Sequence, residues 1–185
     1  NGASSSGKST FAKQLYQKID HPYFYYSSDQ LVDSGMLPAK LDRVNMDTKF
    51  SWNVLRPKFH DGFQHSIKSF ADSGLYLLIE HIVEKQEWFD DLIEILNPYT
   101  VFYIGVTCPI SEIERREIQR GDRYIGEGKS HIEDGIHTWS DYDLVIDTHL
   151  QTQEENISKV LQSMSTFNPN EGVFKKSYTD LHEFT

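Results

Sequence analysis

The chain has 185 residues, 38% of them hydrophobic and 25% charged, with 11 glycines and 6 prolines. That excludes a disordered or collagen-like chain, and the length favours one domain able to bury roughly 70% of the surface an unfolded chain exposes. Lysine plus arginine number 18 against 28 aspartates plus glutamates, a net charge of −10, which argues against nucleic acid as a partner because a phosphate backbone needs a clustered positive surface.

In chain order, a glycine- and serine-rich stretch, Gly2 to Ser9, leads into a helix over Ser9 to Ile19, with Phe11, Leu15 and Ile19 on one stripe. Tyr23 to Ser28 reads as a short aromatic strand ending at Asp29. A polar and aromatic helix is expected near Phe59 to Ser73, then Leu75 to Ile79 as a strand buried on both faces, ending at Glu80. A helix over Glu87 to Leu96, a strand over Thr100 to Thr107 and a helix over Ser111 to Arg120 follow, then a strand over Leu144 to Ile146 ending at Asp147 and a helix over Glu154 to Met164. Past Phe167 there is no clear periodicity, and residues 167–185 read as a surface arm packed on the domain. Alternating strands and helices predict an α/β fold, a doubly wound and mainly parallel sheet of about five strands. The strand that should precede the glycine-rich stretch is expected upstream of Asn1. No linker, repeat or low-complexity block divides the chain, so residues 1–185 are expected as one domain.

Gly2-Ala3-Ser4-Ser5-Ser6-Gly7-Lys8-Ser9 satisfies G-x-x-x-x-G-K-[ST] at every position. Glycines let successive N–H groups turn inward to phosphate oxygens, and the helix behind adds its positive end. The nucleotide site is therefore placed at Gly2, Ala3, Ser4, Ser5, Ser6, Gly7, Lys8, Ser9 and Thr10, with Lys8 charging the β- and γ-phosphates and Ser9 offering its hydroxyl to Mg²⁺. The competing reading is a flexible serine-rich terminus. Lys8 is expected to be exposed, with little packing. Asp29, at a strand's carboxyl end, suits a base that accepts a hydroxyl proton, or equally a helix N-cap ahead of Gln30-Leu31-Val32. Glu80 occupies the place of an acidic residue that holds Mg²⁺ through water, or is a solvent carboxylate at a strand end.

Arg115, Arg116, Arg120 and Arg123 cluster closely, and Arg116, Arg120 and Arg123 share a helical face until Gly121 interrupts it. Two readings stand open: a lid closing on nucleotide phosphates, or a solvated helix laced by pairs such as Glu112 with Arg116. Phe50, Trp52, Phe59 and Phe63 form an apolar acceptor pocket or core. The eight histidines show no metal-ligand spacing, and His81 and His137 read as core or surface residues before substrate contacts. Cys108, the single cysteine, reads as packing and fits a reducing, cytoplasmic setting. The longest apolar runs, Leu75 to Ile79 and Val101 to Val106, fall far short of the ~20 residues that span a bilayer, so no membrane partner is expected.

Several of these segments, in order, resemble the chloramphenicol phosphotransferases, small P-loop kinases that phosphorylate a hydroxyl. They are Asn1 to Ser9, Ser28-Asp29-Gln30-Leu31, Arg116-Glu117, Arg120-Gly121-Asp122-Arg123, Gly126, His137, Tyr142-Asp143 and Val145-Ile146-Asp147-Thr148. The resemblance covers most of residues 1–148. It implies a nucleoside- or shikimate-kinase-like P-loop architecture and an ATP-dependent O-phosphotransferase using ATP and Mg²⁺. It further implies Asp29 as base, with Lys8, Arg120 and Arg123 serving transfer. Arg116, Arg120 and Arg123 would lie at the nucleotide, in a lid around residues 116–130, and the acceptor, a small hydroxylated molecule, would bind around residues 33–72. The chain departs from the family pattern where an acidic pair would follow the third strand, since Glu80 is followed by His81. Other kinases of this fold (nucleoside, shikimate-like or sugar-nucleotide and zeta-toxin types) and a non-catalytic nucleotide switch are the alternatives. The absence of an Asn-Lys-x-Asp motif counts against a GTPase.

Overall fold

The computed structural model describes residues 1–45, 48–121, 124–139 and 141–182. In chain order the elements are α1 (Lys8–Lys18), β1 (Tyr23–Ser27), α2 (Ser28–Asp33), α3 (Trp52–Asp72), β2 (Tyr76–Glu80) and α4 (Gln86–Leu96). They continue with β3 (Ile104–Thr107), α5 (Ile110–Arg120), α6 (Glu127–Glu133), β4 (Leu144–Asp147), α7 (Gln153–Thr166) and α8 (Val173–His182). Two compact units contain them: Asn1–His21 with Ile82–Thr185, and Pro22–His81.

In the unit Pro22–His81, β1 and β2 pair in parallel, from Tyr23 opposite Tyr76 to Ser27 opposite Glu80. Parallel neighbours need a long crossover, and α3 lies within it. His60, Phe63, Gln64 and Ile67 are its buried residues, a stripe at helical spacing. Tyr26 of β1 stacks on Phe63 and meets Phe70 edge-on, at ring-centroid separations of 5.0 and 5.2 Å.

The other unit carries the second parallel pair, β3 with β4, from Ile104 opposite Leu144 to Thr107 opposite Asp147. Asn1 lies alongside β3: its N–H group donates to Ile104 O at 2.9 Å and its carbonyl accepts from Val106 N at 2.8 Å. Those are the two hydrogen bonds by which a parallel neighbour joins a strand. α4 buries Trp88, Phe89, Leu92, Ile93 and Leu96, an apolar stripe at helical spacing. Phe89 meets Tyr103 and Phe174 at centroid separations of 5.6 and 5.7 Å.

Two helices have no counterpart in the sequence reading. α8 arises in the stretch after Phe167, where one buried anchor, Phe174, replaces a periodic stripe. Asp143 accepts its first N–H, from Val173, at 2.8 Å. α6 follows a glycine, Gly126, in the left-handed region at φ 94°. No helix among the described residues is long and apolar enough to cross a membrane.

Candidate active site

The glycine-rich stretch forms a loop between Asn1 and α1. Asn1 fixes its entry: the side-chain amide donates to Tyr142 OH at 2.8 Å and Ile136 O at 3.2 Å, and its oxygen accepts from Val83 N at 2.9 Å. Gly2 passes so close to β3 that a Cβ there would stand 2.4 Å from Val106 O. Gly7, at φ 95°, is the N-cap of α1, and a Cβ would sit 3.2 Å from both Arg116 Nη1 and Thr148 Oγ1. Ser5 also takes a left-handed conformation, φ 58°. This is a built turn, and the reading as a flexible terminus is set aside.

α1 starts without a side-chain cap. A helix start of that kind presents its first-turn N–H groups and positive end to an anion. Ser9 and Thr10 lie exposed in that turn. Lys8 differs from expectation: it is 8% exposed, and its ammonium donates to Ala3 O at 2.8 Å. The loop buries the Ala3 carbonyl's residue completely, and the lysine folding back across the turn supplies a donor there.

Arg116 and Thr148 close the loop's outer side. Thr148 Oγ1 donates to Ser6 O at 2.5 Å and accepts from Arg116 Nη1 at 3.1 Å. Arg116 Nη2 donates to Thr148 O at 3.0 Å, and its Nε to Glu112 at 2.8 Å. Hydrogen bonds from Arg115 and Arg116 pull the Glu112 carboxyl down to about 2. Arg115 is a surface residue paired with Glu112 and Gln119, as the solvated-helix reading has it. Arg120 is exposed in the last turn of α5, one turn beyond Arg116, and Gly121 ends the helix at φ 68°. Arg123 lies outside the described residues. Glu117 is 0% exposed and accepts from Gly126 N at 2.6 Å and Gly128 N at 2.8 Å, binding α5 to the start of α6.

Burial pushes the Cys108 thiol up, and the residue packs with Ala3 and Ile113, as its packing role predicts. His137 shares a hydrogen bond of 2.8 Å with Tyr142 OH, and burial, reinforced by the Lys8 charge, lowers it to about 4.

In the unit Pro22–His81, the carboxyl ends of β1 and β2 carry the other candidates. Ser27 is the N-cap of α2, accepting from Gln30 N at 3.2 Å, while Gln30 Oε1 accepts from Ser27 N at 2.9 Å. The capping box assigns that role to Ser27, so Asp29 is not the cap. It sits exposed in the first turn of α2, where the helix's positive end favours a carboxylate. Glu80 is buried, and Tyr25 OH donates to its Oε2; it is not a solvent carboxylate. Burial first, then the bond to Glu80, raises the Tyr25 hydroxyl far above its ordinary range.

Sequence reasoning missed Tyr25, although its place two residues before Ser27 puts it on the same face of the strand. Phe63 is core, at 1% exposure. Trp52, Phe59, His60 and His81 form a run of rings with successive centroid separations of 5.6, 5.4 and 5.2 Å, and Phe50 is half-buried. Burial, reinforced by the Arg56 charge, lowers His60 to about 4, so its imidazole is neutral at pH 7. Among the described residues no group of three or more His, Cys, Asp and Glu could hold a metal ion.

A family model described as chloramphenicol phosphotransferase-like protein matches residues 1–165. A Mycobacterium tuberculosis (strain ATCC 25618 / H37Rv) protein named "Putative O-phosphotransferase" is 24% identical over 165 residues, covering 80% of this chain and 72% of that one. Among solved structures, the Mycobacterium tuberculosis APS kinase in complex with AMPPNP and APS superposes with a TM-score of 0.61 at 19% identity, covering 89% of this chain and 94% of the other. Shikimate kinase from Aquifex aeolicus gives a TM-score of 0.58 at 16% identity, with 89% and 93% covered. The fold is that of the P-loop kinases, α/β with parallel strands.

Proposed function

The chain belongs to the chloramphenicol phosphotransferase-like family, and we propose that it transfers the γ-phosphoryl group of ATP to a hydroxyl of a small molecule. The observation that carries this reading is the loop from Gly2 to Gly7. Its close approaches admit no side chain at Gly2, and it delivers the chain into the uncapped start of α1. A triphosphate would lie against that helix start, with the Lys8 ammonium beside it.

Mg²⁺ fits this donor set in one way: the Ser9 hydroxyl would hold it together with the nucleotide's own phosphate oxygens, as suits a cation that keeps most of its water. There it would neutralise charge on the β- and γ-phosphates. Glu80 would act through water.

In the transfer itself, the acceptor oxygen forms a bond to the γ-phosphorus while the bond from that phosphorus to the β–γ bridging oxygen breaks. ADP leaves with the electron pair, and Asp29 accepts the hydroxyl proton. Arg120 and Arg123 would stabilise the charge spreading over the γ-phosphoryl oxygens. The rings of Trp52, Phe59 and His60 would give the acceptor an apolar, uncharged surface. Residues 116–130 would exclude water, which otherwise competes with the acceptor.

The test is ATP turnover with and without a panel of small hydroxylated compounds, chloramphenicol included, with the phosphorylated product identified by mass. Acceptor-dependent ADP release with a phosphorylated product supports a kinase. Nucleotide binding with no product from any acceptor favours a nucleotide switch.

A further inference from the structure

We propose that His131 is a positioning residue for the phosphate loop: it holds Ser4 from outside, so that the turn keeps the shape that receives the triphosphate. The proposal rests on the loop binding a nucleotide, and it names a residue of α6 to which neither motif nor resemblance assigns a role.

Ser4 is 5% exposed, and its polar groups face α6. Its backbone N–H donates to His131 Nδ1 at 3.1 Å, and its hydroxyl donates to Glu127 Oε2 at 3.0 Å. Its carbonyl approaches Gly128 so closely that a Cβ there would stand 2.4 Å away. A phosphate loop works by turning N–H groups toward the anion, and the Ser4 N–H turns to the imidazole instead. Directly after it comes Ser5, a non-glycine residue in the left-handed region at φ 58°. Such a conformation persists only where its surroundings hold it, and the Ser4 anchor is the hold on its N-terminal side.

The imidazole is suited to this. To accept from Ser4, Nδ1 must carry a lone pair, so the ring hydrogen sits on Nε2. Glu84 stands on that side, its Oε1 3.7 Å from Nε2, and the two side chains are only 12% and 17% exposed. A carboxylate on that side favours the ring hydrogen on Nε2, which leaves Nδ1 with the lone pair that accepts from Ser4. α6 is in turn fixed by Glu117, which takes the N–H groups of Gly126 and Gly128. A chain of contacts runs from α5 through α6 to the first turn of the loop.

Two substitutions separate positioning from packing. His131→Asn keeps an acceptor two bonds from Cβ, where Nδ1 stands, whereas His131→Gln keeps bulk and polarity but moves the acceptor one bond further out. Isothermal calorimetry with AMPPNP and Mg²⁺ reads the result without any acceptor. The expected result is wild-type affinity within about threefold for His131→Asn and a weakening of about tenfold or more for His131→Gln, because a loop that is not preorganised must be ordered on binding. Equal affinity of the two variants, or a drop in melting temperature with affinity unchanged, overturns the proposal. A wild-type protein that does not bind AMPPNP overturns the phosphotransferase reading, and this one with it; a wild type that binds as tightly as His131→Gln overturns this one alone.

Discussion

The guanidinium of Arg116 is joined to Thr148 twice, Nη1 to the hydroxyl at 3.1 Å and Nη2 to the carbonyl at 3.0 Å, and the same hydroxyl donates to Ser6 O in the phosphate loop. One threonine thus links the last strand's exit, an arginine of α5 and the loop. Arg116→Lys keeps the charge but loses the planar fork that reaches both oxygens. It should raise the KM for ATP several-fold and destabilise the protein by about 1–3 kcal/mol. ATP titrations and urea unfolding check the two effects. An unchanged KM would separate Arg116 from the nucleotide site.

Tyr25 supports a buried carboxylate in the other unit. Tyr25→Phe leaves Glu80 without the phenolic donor, and a buried group that loses such a partner costs about 1–3 kcal/mol. If Glu80 acts on Mg²⁺ through water, the variant should also need more Mg²⁺ for half-maximal turnover. The folded tyrosine's pKa lies above its unfolded value of 10.0, so its contribution is complete below pH 10 and is lost as the pH rises beyond it. Urea unfolding at pH 8 and pH 11 should show a shallower alkaline fall in the variant than in the wild type. An identical fall in both would contradict the pairing.

The sequence made some of these elements legible and hid others, for physical reasons. The phosphate loop and α1 were readable because a fixed spacing of glycines and lysine has few structural meanings, and because Phe11 and Leu15 repeat at helical period. Strands such as Tyr76–Glu80 announced themselves as short apolar runs ending in an acid. The burial of Lys8 and Glu80 was not legible, since the Ala3 carbonyl and the Tyr25 hydroxyl that receive them are set by the tertiary fold. The cap of α2 stayed open between two readings of Asp29 for a local reason: Ser27, Asp29 and the nearby serine are all good cap residues, and only Gln30, third after Ser27, identifies the capping box. α6 has no apolar stripe to reveal it, since its start is held by Glu117 and its glycine contact with Ser4.

The acid side of the stability profile should be set partly by two histidines. His60 and His137 are lowered from 6.5 to about 4, chiefly by burial. Between those values the unfolded chain binds protons that the folded one does not, so stability falls as the pH drops from 6.5 toward 4. Each contributes on the order of 2 kcal/mol, given partial burial and solvent screening. His60→Leu should remove its share and flatten the fall measured by urea unfolding at pH 7, 5.5 and 4.5. A fall as steep as the wild type's would show that His60 is not part of it.

The most direct measurement compares Asp29 with Asn at that position, in phosphoryl transfer from ATP to an accepted hydroxyl compound and in AMPPNP affinity. Ser27 is the cap and Asp29 is exposed, so Asp29→Asn leaves the helix start intact while removing the proton acceptor. Transfer should fall by about 10²-fold or more, with AMPPNP binding unchanged and the melting temperature lowered by no more than a few degrees as the helix start loses its carboxylate. Transfer at the wild-type rate in Asp29→Asn, or no transfer by the wild type to any hydroxyl tested, would contradict it.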